Sequence, residues 1–152
     1  MKCRECIQLR GRILADSKRL CAIACKAFFF WIGNRMHTIA VIEDDPSMLQ
    51  GLIRLLSVHG FRVEKFTSAE SFLKDIATCE AKCLVVDIHL GGISGIDLQR
   101  QLTSSGRVLP VIFMTAIDSE ATRQDAFDAG CVAYLKKPFL AKLLIDAINS
   151  VR

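Results

Sequence analysis

From Thr38 onward the sequence alternates, five times over, between a short run of aliphatic and β-branched residues and a longer stretch of helical period. This alternation constrains the fold strongly, because parallel strands need crossover connections long enough to hold a helix. The strand-like runs are Thr38–Glu43, Arg62–Phe66, Cys83–Asp87, Val108–Met114 and Val132–Leu135. The helices are predicted from Pro46 to a stop at Gly60, from about Thr67 or Ser68, from Gly95 to Thr103, from Ser119 to Ala129 before Gly130, and from Leu140 to Val151. In the first of them Asp45 is the expected N-cap and Pro46 the first helical residue, while Met48, Leu49, Leu52, Leu55 and Leu56 form one apolar stripe. The expected architecture is α/β: a doubly wound five-stranded parallel sheet with helices on both faces and right-handed crossovers.

A chain of 152 residues accommodates one such domain and an appendage. Charge divides it at the same place as periodicity. Residues 1–35 hold eight basic residues against two acidic ones, +6, whereas residues 36–152 hold 12 against 14, −2. The overall +4 therefore gives no reason to expect the regular part to bind nucleic acid. Seven cysteines without a regular framework argue against a secreted disulfide scaffold and for a reducing, cytoplasmic setting. In the basic segment, Leu20–Gly33 is apolar but interrupted by Lys26 and too short to span a bilayer, which leaves a surface-lying helix as the membrane reading. Cys3, Cys6, Cys21 and Cys25 could supply four thiolates to zinc, at a loose spacing. The favoured reading is that translation starts at Met36, immediately before the first strand, and that residues 1–35 are upstream reading frame or a flexible extension.

Ligands of doubly wound sheets bind beyond the carboxyl ends of the strands. There the sequence places Glu43, Asp44 and Asp45 after the first strand, Asp87 after the third, Thr115 after the fourth and Lys137 after the fifth. Crowded carboxylates call for a cation, and hard oxygen donors with room for water suit Mg2+ or Mn2+. A divalent ion, an ammonium and a hydroxyl together fit the oxygens of a phosphoryl group, which makes Asp87 the candidate nucleophile. Taken singly, each residue has a plainer role: a solvated turn for the acidic triplet, a helix cap for Asp87, a turn for Thr115, a surface charge for Lys137. Their joint placement at four strand ends is what those plainer roles do not account for.

The stretches IAVIEDDPSML (39–49), LVVDIHLGGISGIDL (84–98), PVIFMTA (110–116) and AYLKKPF (133–139) resemble, in order and spacing, the four signature blocks of two-component response-regulator receiver domains. The resemblance covers about 115 residues and is nearest to receivers of the nitrogen-fixation regulator type. It implies a flavodoxin-like (βα)5 fold with strand order 2-1-3-4-5. Asp87 would be the phosphoacceptor, with Glu43, Asp44, Asp87 and the backbone carbonyl of His89 around Mg2+ (or Mn2+). Lys137 would pair with the phosphoryl group ahead of a cis peptide bond to Pro138, and Lys136 would point elsewhere. Thr115 would be the hydroxyl switch and Tyr134 the aromatic switch that turns inward behind it. Gly91, where many members have proline, should loosen the acceptor loop.

These implications make the chain a cytoplasmic single-domain regulator phosphorylated by a sensor histidine kinase or histidine phosphotransfer protein. It would catalyse only its own phosphorylation and dephosphorylation, so it is not expected to be an enzyme in the ordinary sense. With the chain ending at Arg152, output is expected through a protein partner, with a phosphorylation-dependent homodimer open and no DNA binding. Two other classes share part of this pattern. A haloacid-dehalogenase-type phosphatase would need a second acid two residues after the nucleophile, where His89 stands. A non-phosphorylated pseudo-receiver acting as an interaction module would not need the full acceptor set. His89 itself reads as an exposed modulator of phosphoryl lifetime, and Cys79, Cys83 and Cys131 as packing residues without a chemical role.

Overall fold

The computed structural model describes residues 37–151. The thiolate quartet, the Leu20–Gly33 segment and the boundary at Met36 lie outside the described residues. Elements alternate as β1 (Thr38–Ile42), α1 (Pro46–Val58), β2 (Arg62–Phe66), α2 (Ala69–Asp75), β3 (Cys83–Asp87), α3 (Gly95–Ser104), β4 (Val111–Thr115), α4 (Glu120–Asp128), β5 (Ala133–Lys136) and α5 (Ala141–Ser150). The five strands are parallel in the order β2-β1-β3-β4-β5, so β1 and β3 lie side by side at the point where strand order reverses.

Strand alternation sorts the core into two layers. Ile39, Val41, Val85, Ile112 and Met114 face Leu49, Leu52 and Leu56 of α1 and Leu144 and Ile148 of α5. Ala40, Ile42, Leu84, Val86 and Phe113 face Phe72 of α2, Leu98 and Leu102 of α3 and Ala126 of α4. The central strands β1, β3 and β4 are buried along their whole length, which is why they read as unbroken apolar runs.

The helices begin on side-chain caps that the sequence supplies. Asp45 accepts the Met48 N–H at 2.6 Å, with Pro46 opening α1 as expected. Ser68, Ser94 and Ser119 cap α2, α3 and α4 in the same way, and Ser68 forms a reciprocal box with Ser71. α1 ends at His59, followed by Gly60 at φ 82°.

Some boundaries move. The fourth strand starts at Val111, three residues later than its β-branched run indicated, because Pro110 has no N–H to give to a ladder and Val108 stands 84% exposed. The same strand extends one residue further, to include Thr115. The fifth strand is Ala133–Lys136 rather than Val132–Leu135. Both shifts carry the ladder up to the polar residues at the strand ends. Among the described residues, no helix is long and apolar enough to cross a membrane.

Candidate phosphoryl and metal site

Asp87 ends β3, Glu43 and Lys137 directly follow β1 and β5, and the fold brings these strand ends together. Glu43 and Asp87 are buried, at 1% and 7% exposure, whereas Asp44 beside them is open to solvent. One carboxylate oxygen from each of Glu43, Asp44 and Asp87 lies within 4.8 Å of the others. The Lys137 Nζ donates to Glu43 Oε2 at 2.6 Å and to Asp87 Oδ2 at 2.7 Å. The main chain aims this lysine: its N–H donates to the Thr115 carbonyl at 2.7 Å, and the Lys137–Pro138 peptide is cis, as the resemblance implied.

Burial and charge act against each other here. Burial pushes the Glu43 carboxyl above its ordinary range, the Asp87 charge adds to the effect, and the Lys137 ammonium tempers it. Burial disfavours the Lys137 charge, but its bonds to Asp87 and Glu43 outweigh that and hold the ammonium above the usual lysine range. Three carboxylates against one ammonium leave the cluster short of positive charge. The donor set is all oxygen, and exposed Asp44 leaves room for water, which fits Mg2+ or Mn2+.

The loop after β3 is anchored on Asp87. The His89 N–H donates to Asp87 Oδ1 at 3.0 Å, and the Ile88 N–H to the Met114 carbonyl at 2.9 Å. α3 presses against the same backbone: a Cβ on Gly95 would overlap the Asp87 carbonyl oxygen and lie 2.9 Å from Val86 Cγ1.

Thr115 is fully buried beside this loop, and its hydroxyl is engaged. It lies 3.0 Å from His89 Nδ1, donates to the Ile117 carbonyl at 2.9 Å and accepts the Ile117 N–H at 3.1 Å. His89 is exposed, as read from the sequence, yet its ring reaches the threonine, a contact the sequence did not reveal.

Tyr134 is half-buried against the layer that contains Phe113. Its hydroxyl donates to Asp118 Oδ1 at 3.2 Å, so in this arrangement it is held at the β4–α4 loop. Both Asp118 carboxylate oxygens also accept from one guanidinium nitrogen of Arg123, each at 3.0 Å, and Arg123 stacks 5.7 Å from the tyrosine ring centre. Lys136 turns away from the carboxylate cluster, to Asp118 at 3.6 Å. Residues missed from sequence are thus Asp118, three residues beyond the threonine, and Arg123 in α4, which together hold the tyrosine.

A pH prediction follows from this cluster. Burial, and then the Asp118 carboxylate that accepts its proton, push the Tyr134 hydroxyl above the usual tyrosine range. Tyr134 is the one tyrosine of the chain, so an ultraviolet titration reads it alone. Its midpoint is expected above 10, and Asp118→Asn is expected to lower it. An unchanged midpoint would remove the Asp118 contact.

Cys79 and Cys83 offer little reactivity. Burial pushes the Cys79 thiol up to about 11 and the Cys83 thiol up to about 12.

Comparison with known proteins agrees with this geometry. The response regulator receiver domain family matches residues 39–149. Response regulator protein TodT of Pseudomonas putida is 32% identical over 126 residues, which cover 83% of this chain and 56% of TodT. Nodulation protein W of Bradyrhizobium diazoefficiens is 35% identical over 127 residues, 79% of this chain and 56% of its own length. Among solved structures, FixJ-N superposes with a TM-score of 0.71 at 29% identity, covering 76% of this chain and 92% of that one. Response regulator StyR superposes with a TM-score of 0.70 at 39% identity, covering 76% and 58%. The chain spans about half the length of the curated relatives it matches. A parallel sheet in the order 2-1-3-4-5, with an acidic cluster and a lysine at its strand ends, and a family match spanning nearly all of it, establish that the chain belongs to the response regulator receiver domains.

Proposed function

We propose that this receiver takes a phosphoryl group onto Asp87 from a phosphohistidine of a sensor histidine kinase or histidine phosphotransfer protein. A carboxylate oxygen of Asp87 forms the new bond to phosphorus as the nitrogen–phosphorus bond breaks, its electron pair returning to the imidazole. Water later attacks the phosphorus, phosphate leaves and the carboxylate is restored. The observation that carries this reading is Lys137 bonded at once to Glu43 and Asp87, at 2.6 and 2.7 Å, where one ammonium can follow the charge from carboxylate to phosphoryl oxygens.

Glu43, Asp44, Asp87 and the His89 backbone carbonyl would hold Mg2+ (or Mn2+), which when bound supplies positive charge to the transferring oxygens. Thr115 would release His89 to reach the phosphoryl group, and Tyr134 would respond through the Ile117–Asp118 segment that both residues bond. The chain would turn over only its own phosphoryl group, in the cytoplasm. Output is assigned to a protein contact rather than to DNA, since residues 36–152 carry −2, and a phosphorylated homodimer is one form such a contact could take.

The test is intact-mass measurement after incubation with Mg2+ and acetyl phosphate or phosphoramidate. Wild type is expected to gain one phosphoryl group and Asp87→Asn none. No gain in wild type would put the interaction-module reading ahead, and multiple turnover of an added phosphoester would favour an enzyme.

A further inference from the structure

The loop from Ile88 to Ser94 carries the backbone next to the phosphoacceptor, and its middle is a pair of glycines, Gly91 and Gly92. Gly91 forms part of the site wall, since a Cβ there would lie 3.9 Å from Asp44 Oδ2. Glycines bring no side chain to fix such a segment and the most conformational freedom to lose. Sequence alone therefore makes this loop loose.

The structure supplies a hold from outside the loop. The Ile93 N–H donates to Glu70 Oε1 at 2.8 Å. The same carboxylate fills the space beside Gly92, so that a Cβ on Gly92 would overlap Oε1 and lie 3.1 Å from Cδ. Glu70 stands in the first turn of α2, whose start is fixed by the Ser68–Ser71 box. The Ile93 N–H, its own backbone N–H and the Ser68 side chain keep its carboxyl below the ordinary range, so it is charged at neutral pH. α2 thereby reaches 23 residues along the chain to grip the loop at the point where its own side chains are missing.

We propose that Glu70 is a positioning residue for the Asp87 site: its carboxylate, seated against Gly92 and bonded to Ile93, fixes the glycine-containing loop that walls the acidic cluster. This rests on the reading of Asp87 given above. Glycine at position 91 is then offset by a tether from α2, and Gly92 leaves open the space that the Glu70 carboxylate occupies.

The test uses the full chain with Glu70→Ala, which removes the acceptor, and Glu70→Gln, which keeps an acceptor oxygen but removes the charge. Hydrogen exchange of the Ile93 amide reads the tether, and Mg2+ titration followed by backbone amide shifts reads the site without any phosphoryl transfer. In Glu70→Ala the Ile93 amide is expected to exchange roughly three- to tenfold faster. The Mg2+ concentration for half saturation is expected to rise by a similar factor, and Glu70→Gln to stay near wild type in both. Unchanged exchange and Mg2+ affinity in Glu70→Ala would overturn the proposal, as would faster exchange with unchanged Mg2+ affinity. Equal losses in the two variants would also overturn it, because charge rather than the bond would then be responsible. A wild type that binds Mg2+ but gains no phosphoryl group would count against Asp87 as acceptor, and these two readouts would still decide the role of Glu70.

Discussion

Lys137→Ala is expected to lose most phosphoryl uptake and, at the same time, a substantial part of the stability of the fold. The side chain is 15% exposed and bonds two carboxylates that are 1% and 10% exposed. Removing one partner of a buried ion pair leaves the other charge uncompensated, a loss of about 3 kcal/mol or more. Uptake is expected to slow by roughly 10²- to 10³-fold, the scale seen when one charge-stabilising donor is removed from a transition state. The stability deficit should depend on pH in a defined direction. Glu43 already titrates above its ordinary value because it is buried, and without the ammonium it moves higher still. A carboxyl raised in the folded state favours folding below its unfolded value and loses that contribution as pH rises through the folded one. The deficit of Lys137→Ala should therefore be largest at neutral and alkaline pH and shrink on acidification toward the ordinary carboxylate range. Mg2+ should stabilise this variant by more than it stabilises wild type, since loss of the ammonium leaves Glu43 and Asp87 uncompensated and tightens cation binding to the folded cluster. Urea unfolding across pH and Mg2+ concentration checks both statements; a deficit independent of pH would contradict the electrostatic origin.

Gly95→Ala is the second large effect, and it acts through backbone. A single methyl there would overlap the backbone carbonyl oxygen of Asp87, which cannot rotate away, and crowd the Val86 Cγ1 methyl. α3 must then back off β3, at a cost of about 1–3 kcal/mol for overpacking. Because the displaced oxygen belongs to Asp87, the proposed acceptor, uptake is expected to fall along with stability. Gly51 in α1 is the contrasting position, exposed and with nothing within 4 Å of an added Cβ. Gly51→Ala is expected to raise stability by about 1 kcal/mol through helix propensity. Paired unfolding curves should show opposite signs at the two glycines, and equal signs would refute the close approach at Gly95.

The contrast between these residues also marks what could be read from the chain alone. Glu43, Asp87 and Lys137 stood out because each is a charged residue at the end of an apolar run, and the rule that such ends converge needs no coordinates. The strand order follows from the receiver resemblance and agrees with the ladders. Composition extends β4 too far back, because Val108 and Leu109 are strand-like while Pro110, with no N–H for the ladder, sets the start at Val111. Glu70 was invisible for a different reason. An acid in the first turn of a helix is already explained by the helix dipole, so nothing in its neighbours points to a bond with Ile93 across 23 residues. The same holds for His89 against Thr115 and for Asp118 against Tyr134, pairs that each join a loop residue to a strand residue 26 and 16 positions away. Periodicity locates elements and their ends; it does not say which loop side chains meet.

The central claim is that the phosphoryl group resides on Asp87, and chemical trapping addresses it directly. Borohydride reduction of the phosphorylated protein converts an acyl phosphate of aspartate to homoserine, which peptide mass mapping then places in the sequence. Homoserine is expected at position 87 in wild type, in a Mg2+-dependent yield, and at no position when Asp87 is replaced by Asn. Homoserine at Asp44 or another carboxylate, or a phosphoryl group retained on a histidine, would contradict it.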